Sequence, residues 1–154
     1  MPNHPSCYLR SFYINSPIGS MVIKSCTRGL HAISQSDTID DSNFAEVKGL
    51  VSTLQMPKLC PVLTTDKFQS RVWVMLAQQV GPGKTISYKE LAEVANNPGA
   101  ARAVGSAMSA NPFQIVVPCH RVLPSSGKLG KYAFGKKNKV KAWLLHHEGV
   151  SVLN

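Results

Sequence analysis

From Cys7 to Ile33 the apolar residues come in short runs separated by turn formers. Cys7 to Ile14 and Ser20 to Lys24 read as strands on either side of Asn15-Ser16-Pro17-Ile18-Gly19, and Gly29-Leu30-His31-Ala32-Ile33 adds a third. Residues 34–43 are polar and acidic, the pattern of a loop. Phe44, Val47, Leu50/Val51 and Leu54 then recur at helical spacing, which predicts a helix over 44–55. Two prolines between Met56 and Asp66 mark a linker, so the pattern divides the chain into domains of residues 1–60 and 61–154.

Beyond Asp66 the period changes. Phe68, Val72, Met75/Leu76 and Gln79/Val80 space as an amphipathic helix that Gly81-Pro82-Gly83 ends. Ser87 followed by Glu90 is a capping box, opening a helix that runs to about Ala95. Asn96-Asn97-Pro98-Gly99 makes a turn, and another helix begins near Ala100. Helix, short glycine-containing turn, helix is the helix-turn-helix outline. Laid out at 100° per residue, the second helix puts Ala100, Ala103, Val104, Ala107 and Met108 on one side. Arg102, Gly105, Ser106 and Ser109 fall on the other: one long cation among very small residues, a face that suits close approach to another polymer.

Ile115-Val116-Val117 reads as a short buried strand, ended by Pro118. Cys119 and His120 follow at once, and neighbouring side chains of an extended strand point to opposite faces. The two cooperate only if the chain turns there, which Pro118 favours. A thiol beside an imidazole and the Arg121 guanidinium should have raised thiolate character, the reactive form. Pro124-Ser125-Ser126-Gly127 reads as a turn. Val140, Trp143, Leu144 and His147 space as a last helix, with Gly149 just past its end. Glu148 stands at the negative pole of that helix and needs a partner, a role a nearby histidine would fill.

Composition narrows the address and the partner. No apolar run approaches a membrane span and residues 1–12 lack a signal-peptide core, so cytosol or nucleus is expected, where thiols stay reduced. Under that reading Cys7, Cys26, Cys60 and Cys119 point to ligation or reactivity before disulfides. The chain of 154 residues carries 17 basic and 8 acidic residues, and a formal charge of +9 favours a polyanion, nucleic acid before membrane.

Taken together, Pro118-Cys119-His120-Arg121-Val122, Ile86-Ser87-Tyr88, Asn97-Pro98, Ala100-Ala101-Arg102-Ala103-Val104-Gly105, Asn111-Pro112 and Trp143-Leu144-Leu145-x-His147-Glu148-Gly149 resemble the O6-alkylguanine-DNA alkyltransferase family. The resemblance runs through most of residues 66–150. It implies an α/β (α+β) protein with a small ribonuclease H-like N-terminal domain and a mostly helical, winged helix-turn-helix-like C-terminal domain. It also implies direct-reversal DNA repair in one irreversible turnover, with Cys119 taking the alkyl group from O6 of guanine. By similarity His120 is the base, acting through a water, Glu148 orients it, Asn111 braces the turn and Tyr132 donates to the leaving guanine. Double-stranded DNA would be held in the minor groove with the damaged nucleotide flipped out. Arg102 would fill the vacated stack, Tyr88 would crowd the phosphate, and Ser87, Ala100, Ala101, Gly105 and Ser125 would lie against DNA. Val122, Ala133 and Phe134 would wall the alkyl pocket. Phe134 stands where the family has small residues, so free O6-benzylguanine is expected to react poorly.

Eukaryotic members of the family carry a structural zinc held by two cysteines and two histidines in the N-terminal domain. Cys7, Cys26 and His31 match three of these ligands. Where the fourth histidine belongs this chain has Leu59-Cys60-Pro61, so Cys60 is expected as the substitute. No organic cofactor is expected, and no membrane partner. A nuclear monomer is expected, with cooperative assembly on DNA left open. The rival is a non-enzymatic helix-turn-helix protein that binds alkylated DNA and signals to other repair pathways. Such proteins lack the nucleophile, and Cys119 argues against that reading.

Overall fold

The structure, a computed structural model, describes residues 7–16, 18–35, 57–61, 67–132 and 138–152. It is a mixed α/β fold of two units, one of residues 1–67 with 112–116, the other of 68–111 with 117–154. The return of residues 112–116 to the first unit is a departure from the single boundary at 60/61 expected from the linker. Its cause is local: Ile33 N donates to Pro112 O at 2.8 Å and Phe113, fully buried, bridges Ile33 in parallel.

In the first unit β1 (Arg10–Ser16), β2 (Gly19–Cys26) and β3 (Gly29–Gln35) form an antiparallel sheet in sequence order. All three expected strands are present, each shifted or extended by a few residues. The expected helix over 44–55 lies outside the described residues. Residues 58–60 run beside β3, with Leu30 N donating to Lys58 O and Cys60 N to Leu30 O, both at 2.9 Å. That approach requires glycine at position 29, where φ is +148° and an added Cβ would stand 2.4 Å from Lys58 O.

The expected strand Ile115–Val117 is absent. Ile115 instead has φ +72° and Val116 N donates back to Gln114 O at 2.9 Å, a γ-turn of the rare positive-φ kind. Three β-branched residues favour a strand in isolation, but propensity here yields to context. Phe113 is bound to β3, and the segment has to bend directly after it.

In the second unit α1 (Phe68–Gln79), α2 (Tyr88–Val94) and α3 (Ala101–Ser109) pack on one another. Val72, Leu76, Leu91 and Val104 are fully buried, and Trp73 Nε1 donates to Ala107 O at 2.8 Å. The capping box of α2 is formed as expected, with Glu90 N donating to Ser87 Oγ at 3.1 Å and Ser87 N to Glu90 Oε2 at 2.8 Å. The stripe of α3 that is buried is narrower than its pattern predicts: Val104 and Ala107 are buried but Ala103 is exposed. A parallel pair of two-residue strands, β4 (Ile86–Ser87) and β5 (Val122–Leu123), ties the entry of α2 to the segment after Cys119. The last helix, α4 (Asn138–His147), ends in a Schellman motif. Gly149 has φ +81° and donates to His146 O at 3.0 Å, and Val150 N donates to Leu145 O at 2.9 Å.

Candidate active site and metal centre

The bend that brings Cys119 and His120 together is at Pro118. With φ −80° and ψ 65°, and with Cys119 N donating to Val117 O at 2.8 Å, Pro118 is the centre of an inverse γ-turn. Cys119–Arg121 then form one turn of 3₁₀-helix, the sharp turn that the sequence required. Asn111, from just after α3, donates through Nδ2 to Val117 O at 2.9 Å and to Cys119 Sγ at 3.3 Å. One amide thus holds the carbonyl before the turn and the sulfur after it. Cys119 is 7% exposed, and its thiol also lies 3.5 Å from Tyr132 Oη. Burial and the neighbouring Cys119 both push the Tyr132 hydroxyl well above its ordinary value, so it stays protonated.

His120, the next residue, is 1% exposed, with Nε2 at 2.9 Å from Glu148 Oε1. Arg121 donates to the same carboxylate through Nε to Oε2 at 3.0 Å and through Nη2 to Oε1 at 2.8 Å. Its Nη1 donates to Val80 O at 2.7 Å. Glu148 therefore has both partners its place at the helix end demands. Burial pushes its carboxyl up, but hydrogen bonds and charge from His120 and Arg121 outweigh that and hold it down at about 2. Burial pushes His120 below its ordinary value, against the pull of Glu148, with Arg121 and Lys141 adding to the depression. The ion pair is therefore Glu148 with Arg121, and His120 is neutral. In that state Nε2–H donates to Glu148 and Nδ1 carries the lone pair; Nδ1 is buried without a hydrogen-bond partner among the described residues.

Two cations of this site were misjudged or missed in the sequence. Arg121 was expected beside the thiol, whereas its donors go to Glu148 and Val80 O. Lys141 was not singled out, although a lysine on the Val140/Leu144/Leu145 side of α4 was a legible signal. It is 1% exposed, donates through Nζ to Val122 O at 2.8 Å, and lies 6.0 Å from the centre of the Tyr132 ring. Burial lowers its ammonium to about 8.

Val122 is fully buried next to this cluster in sequence, while Ala133 and Phe134 lie outside the described residues. Tyr88, the first residue of α2, is half-buried, and burial, with the neighbouring Cys119 adding to it, raises its hydroxyl. Arg102 is exposed on α3, Ala100, Ala101 and Gly105 are half-buried, and Ser125 is exposed in a turn closed by Gly127 N to Pro124 O at 3.0 Å. Ser87 is occupied in the capping box. A Cβ at Gly105 would meet nothing within 4 Å, so packing inside the chain does not call for glycine there.

In the first unit the structure gathers Cys7, Cys26, His31 and Cys60, whose donor atoms all lie within 4.8 Å of one another. Cys60 Sγ stands 4.0 Å from Cys7 Sγ and 3.8 Å from Cys26 Sγ, and His31 Nε2 is 3.2 Å from Cys26 Sγ. A zinc tetrahedron with Zn–S bonds of about 2.3 Å has edges of ~3.8 Å, so the residues fit a zinc ion. The Cys26 thiol is held down at about 6: burial raises it, but the Arg28 N–H, His31 and Cys60 lower it further.

Residues 67–150 match the family described as 6-O-methylguanine DNA methyltransferase, DNA binding domain. A methylated-DNA–protein-cysteine methyltransferase of Mus musculus is 36% identical over 177 aligned positions, covering 94% of this chain and 83% of the relative. The O6-methylguanine methyltransferase of Mycobacterium tuberculosis superposes with a TM-score of 0.73 at 32% identity, covering 92% of this chain and 93% of that one. The same organism's OGT in complex with DNA gives 0.71 at 33% identity, covering 88% and 90%. The chain belongs to the O6-methylguanine-DNA methyltransferase family, the class that its sequence motifs resemble.

Proposed function

We propose that this protein is a DNA-repair methyltransferase that acts once, moving the alkyl group of an O6-alkylguanine in DNA onto Cys119 Sγ. The observation that carries the reading is Cys119 held by Asn111 and Tyr132 and followed directly by neutral His120 on the Glu148–Arg121 pair. Nδ1 of His120 takes the thiol proton through a water, and the Nε2–H bond to Glu148 fixes the tautomer and steadies the imidazolium. Sulfur then attacks the alkyl carbon: the S–C bond forms, the C–O6 bond breaks, and its electron pair leaves with the guanine. Tyr132, kept protonated by burial, donates to that leaving base. A thioether has no route back to a thiol, so Cys119 acts once. The test is stoichiometry: guanine restored in an O6-methylguanine duplex should plateau at one equivalent per protein, and continued turnover would refute the mechanism.

The damaged base has to leave the stack to meet a buried thiol. We assign α2 and α3 as a winged helix-turn-helix-like reader of the minor groove, with Arg102 entering the vacated space and Tyr88 crowding the phosphate. The open space at Gly105 supports close approach by a partner outside the chain. Phosphate contacts would make binding salt-dependent and tolerant of sequence. The first unit, ribonuclease H-like in this reading, would hold zinc through Cys7, Cys26, His31 and Cys60. The ion would cross-link the segment before β1, the β2–β3 hairpin and residues 57–61. Zinc titration of Cys60→Ala should show weakened binding; unchanged stoichiometry and affinity would remove Cys60 from the ligand set. A nuclear address and a monomer complete the proposal.

A further inference from the structure

We infer that Arg28 is part of the metal centre, as the cation that offsets its third thiolate; this rests on the zinc reading above. Two thiolates and two imidazoles around a divalent cation make a neutral centre. Three thiolates and one imidazole leave one net negative charge, and that excess needs a counter-charge close by.

Arg28 is the residue in place to supply it. Its Nη2 donates to Cys7 Sγ at 2.8 Å, and its backbone N–H donates to Cys26 Sγ at 3.3 Å. One residue therefore reaches two of the three sulfurs, and Cys60 Sγ, the third, is 4.0 and 3.8 Å from those same two. The hairpin explains the placement. Cys26 pairs with Gly29, so Thr27 and Arg28 are the whole turn between β2 and β3, and the second residue after the Cys26 ligand is turned back onto the sulfurs. The substitution that brings Cys60 and the cation that Arg28 brings are two halves of one device. Partners that orient and neutralise metal ligands typically change affinity about 10–100-fold. The Arg28 side chain is exposed and its charge is screened, so the lower end, about tenfold, is expected here.

The experiment is zinc affinity by chelator competition, with cobalt(II) absorption as a second readout of thiolate coordination. It compares the full-length protein with Arg28→Ala and Arg28→Lys, in the native and in the Cys60→His background, at low and at molar salt. Arg28→Ala should weaken zinc binding about tenfold at low salt and much less at high salt, and Arg28→Lys should recover part of the loss. In Cys60→His, where the centre is neutral, Arg28→Ala should leave affinity unchanged. Equal affinity of native protein and Arg28→Ala overturns the role of Arg28 while leaving the zinc site standing. A loss that salt does not diminish and lysine does not relieve makes Arg28 a turn residue only, and overturns the inference too. This salt and lysine comparison decides the matter even where Cys60→His binds no metal. A native protein that takes up neither zinc nor cobalt overturns the zinc reading itself and this inference with it.

Discussion

Arg121 and Glu148 are joined by two parallel hydrogen bonds, Nε to Oε2 at 3.0 Å and Nη2 to Oε1 at 2.8 Å. The side chains are 8% and 2% exposed, so this is a dry, bidentate pair, the geometry for which guanidinium is suited and ammonium is not. It lets His120 stay neutral beside a carboxylate. Arg121→Ala leaves Glu148 buried with one partner fewer, and breaking a buried pair in this way costs about 3–5 kcal/mol. Urea unfolding should show a loss of that order, with Arg121→Lys recovering little of it.

The same pair gives the protein a signature in acid. Glu148 titrates at about 2 when folded, below its ordinary unfolded value of ~4.3. A carboxyl with a depressed folded pKa adds stability above its unfolded value and loses it as pH falls through the folded one. Stability should therefore fall as pH drops from about 4.3 towards 2, and Glu148→Gln should flatten that slope in unfolding measured across the window. Because burial depresses His120 as well, alkyl transfer should hold its rate on acidification to below about 6.5.

Gly29 is where the gathering of the four candidate zinc ligands depends on backbone space. An alanine there would place Cβ 2.4 Å from Lys58 O and 2.9 Å from Cys60 N, at a φ of +148°. None of these atoms is the free end of a side chain, so the 58–60 segment has to move. Gly29→Ala should destabilise the first unit by more than ~1 kcal/mol and release zinc, measured by thermal melting and metal content.

Gly105 separates folding from binding. The space around its Cα is open, so Gly105→Ala should stabilise α3 by about 0.5–1 kcal/mol. Gly105→Leu should fold equally well yet bind duplex DNA more weakly, whether alkylated or not. Unchanged affinity for DNA in Gly105→Leu would remove this face from the interface.

The features legible in the sequence were those set by neighbours along the chain. Ser87 and Glu90 announced the start of α2, Gly149 the end of α4, and Pro118 the turn at Cys119, since each acts within a few residues. The need of Glu148 for a partner was legible from its place at the helix end. That Arg121 is that partner was not, because the pair spans 27 positions and the 3₁₀ turn decides where the guanidinium points. Ile115–Val117 failed for the opposite reason: a correct local preference for strand was overridden by Phe113, held on β3. Cys60 was placed among Cys7, Cys26 and His31 by the resemblance alone, as no ligand-pair spacing announces it.

The measurement closest to the central claim is the intact mass of the protein after incubation with duplex DNA containing O6-methylguanine, with Cys119→Ala alongside. The account predicts the gain of one methyl group, mapped to Cys119 and absent from the variant. Tight binding to the same duplex with no gain in mass would contradict it and leave a protein that binds damaged DNA without repairing it.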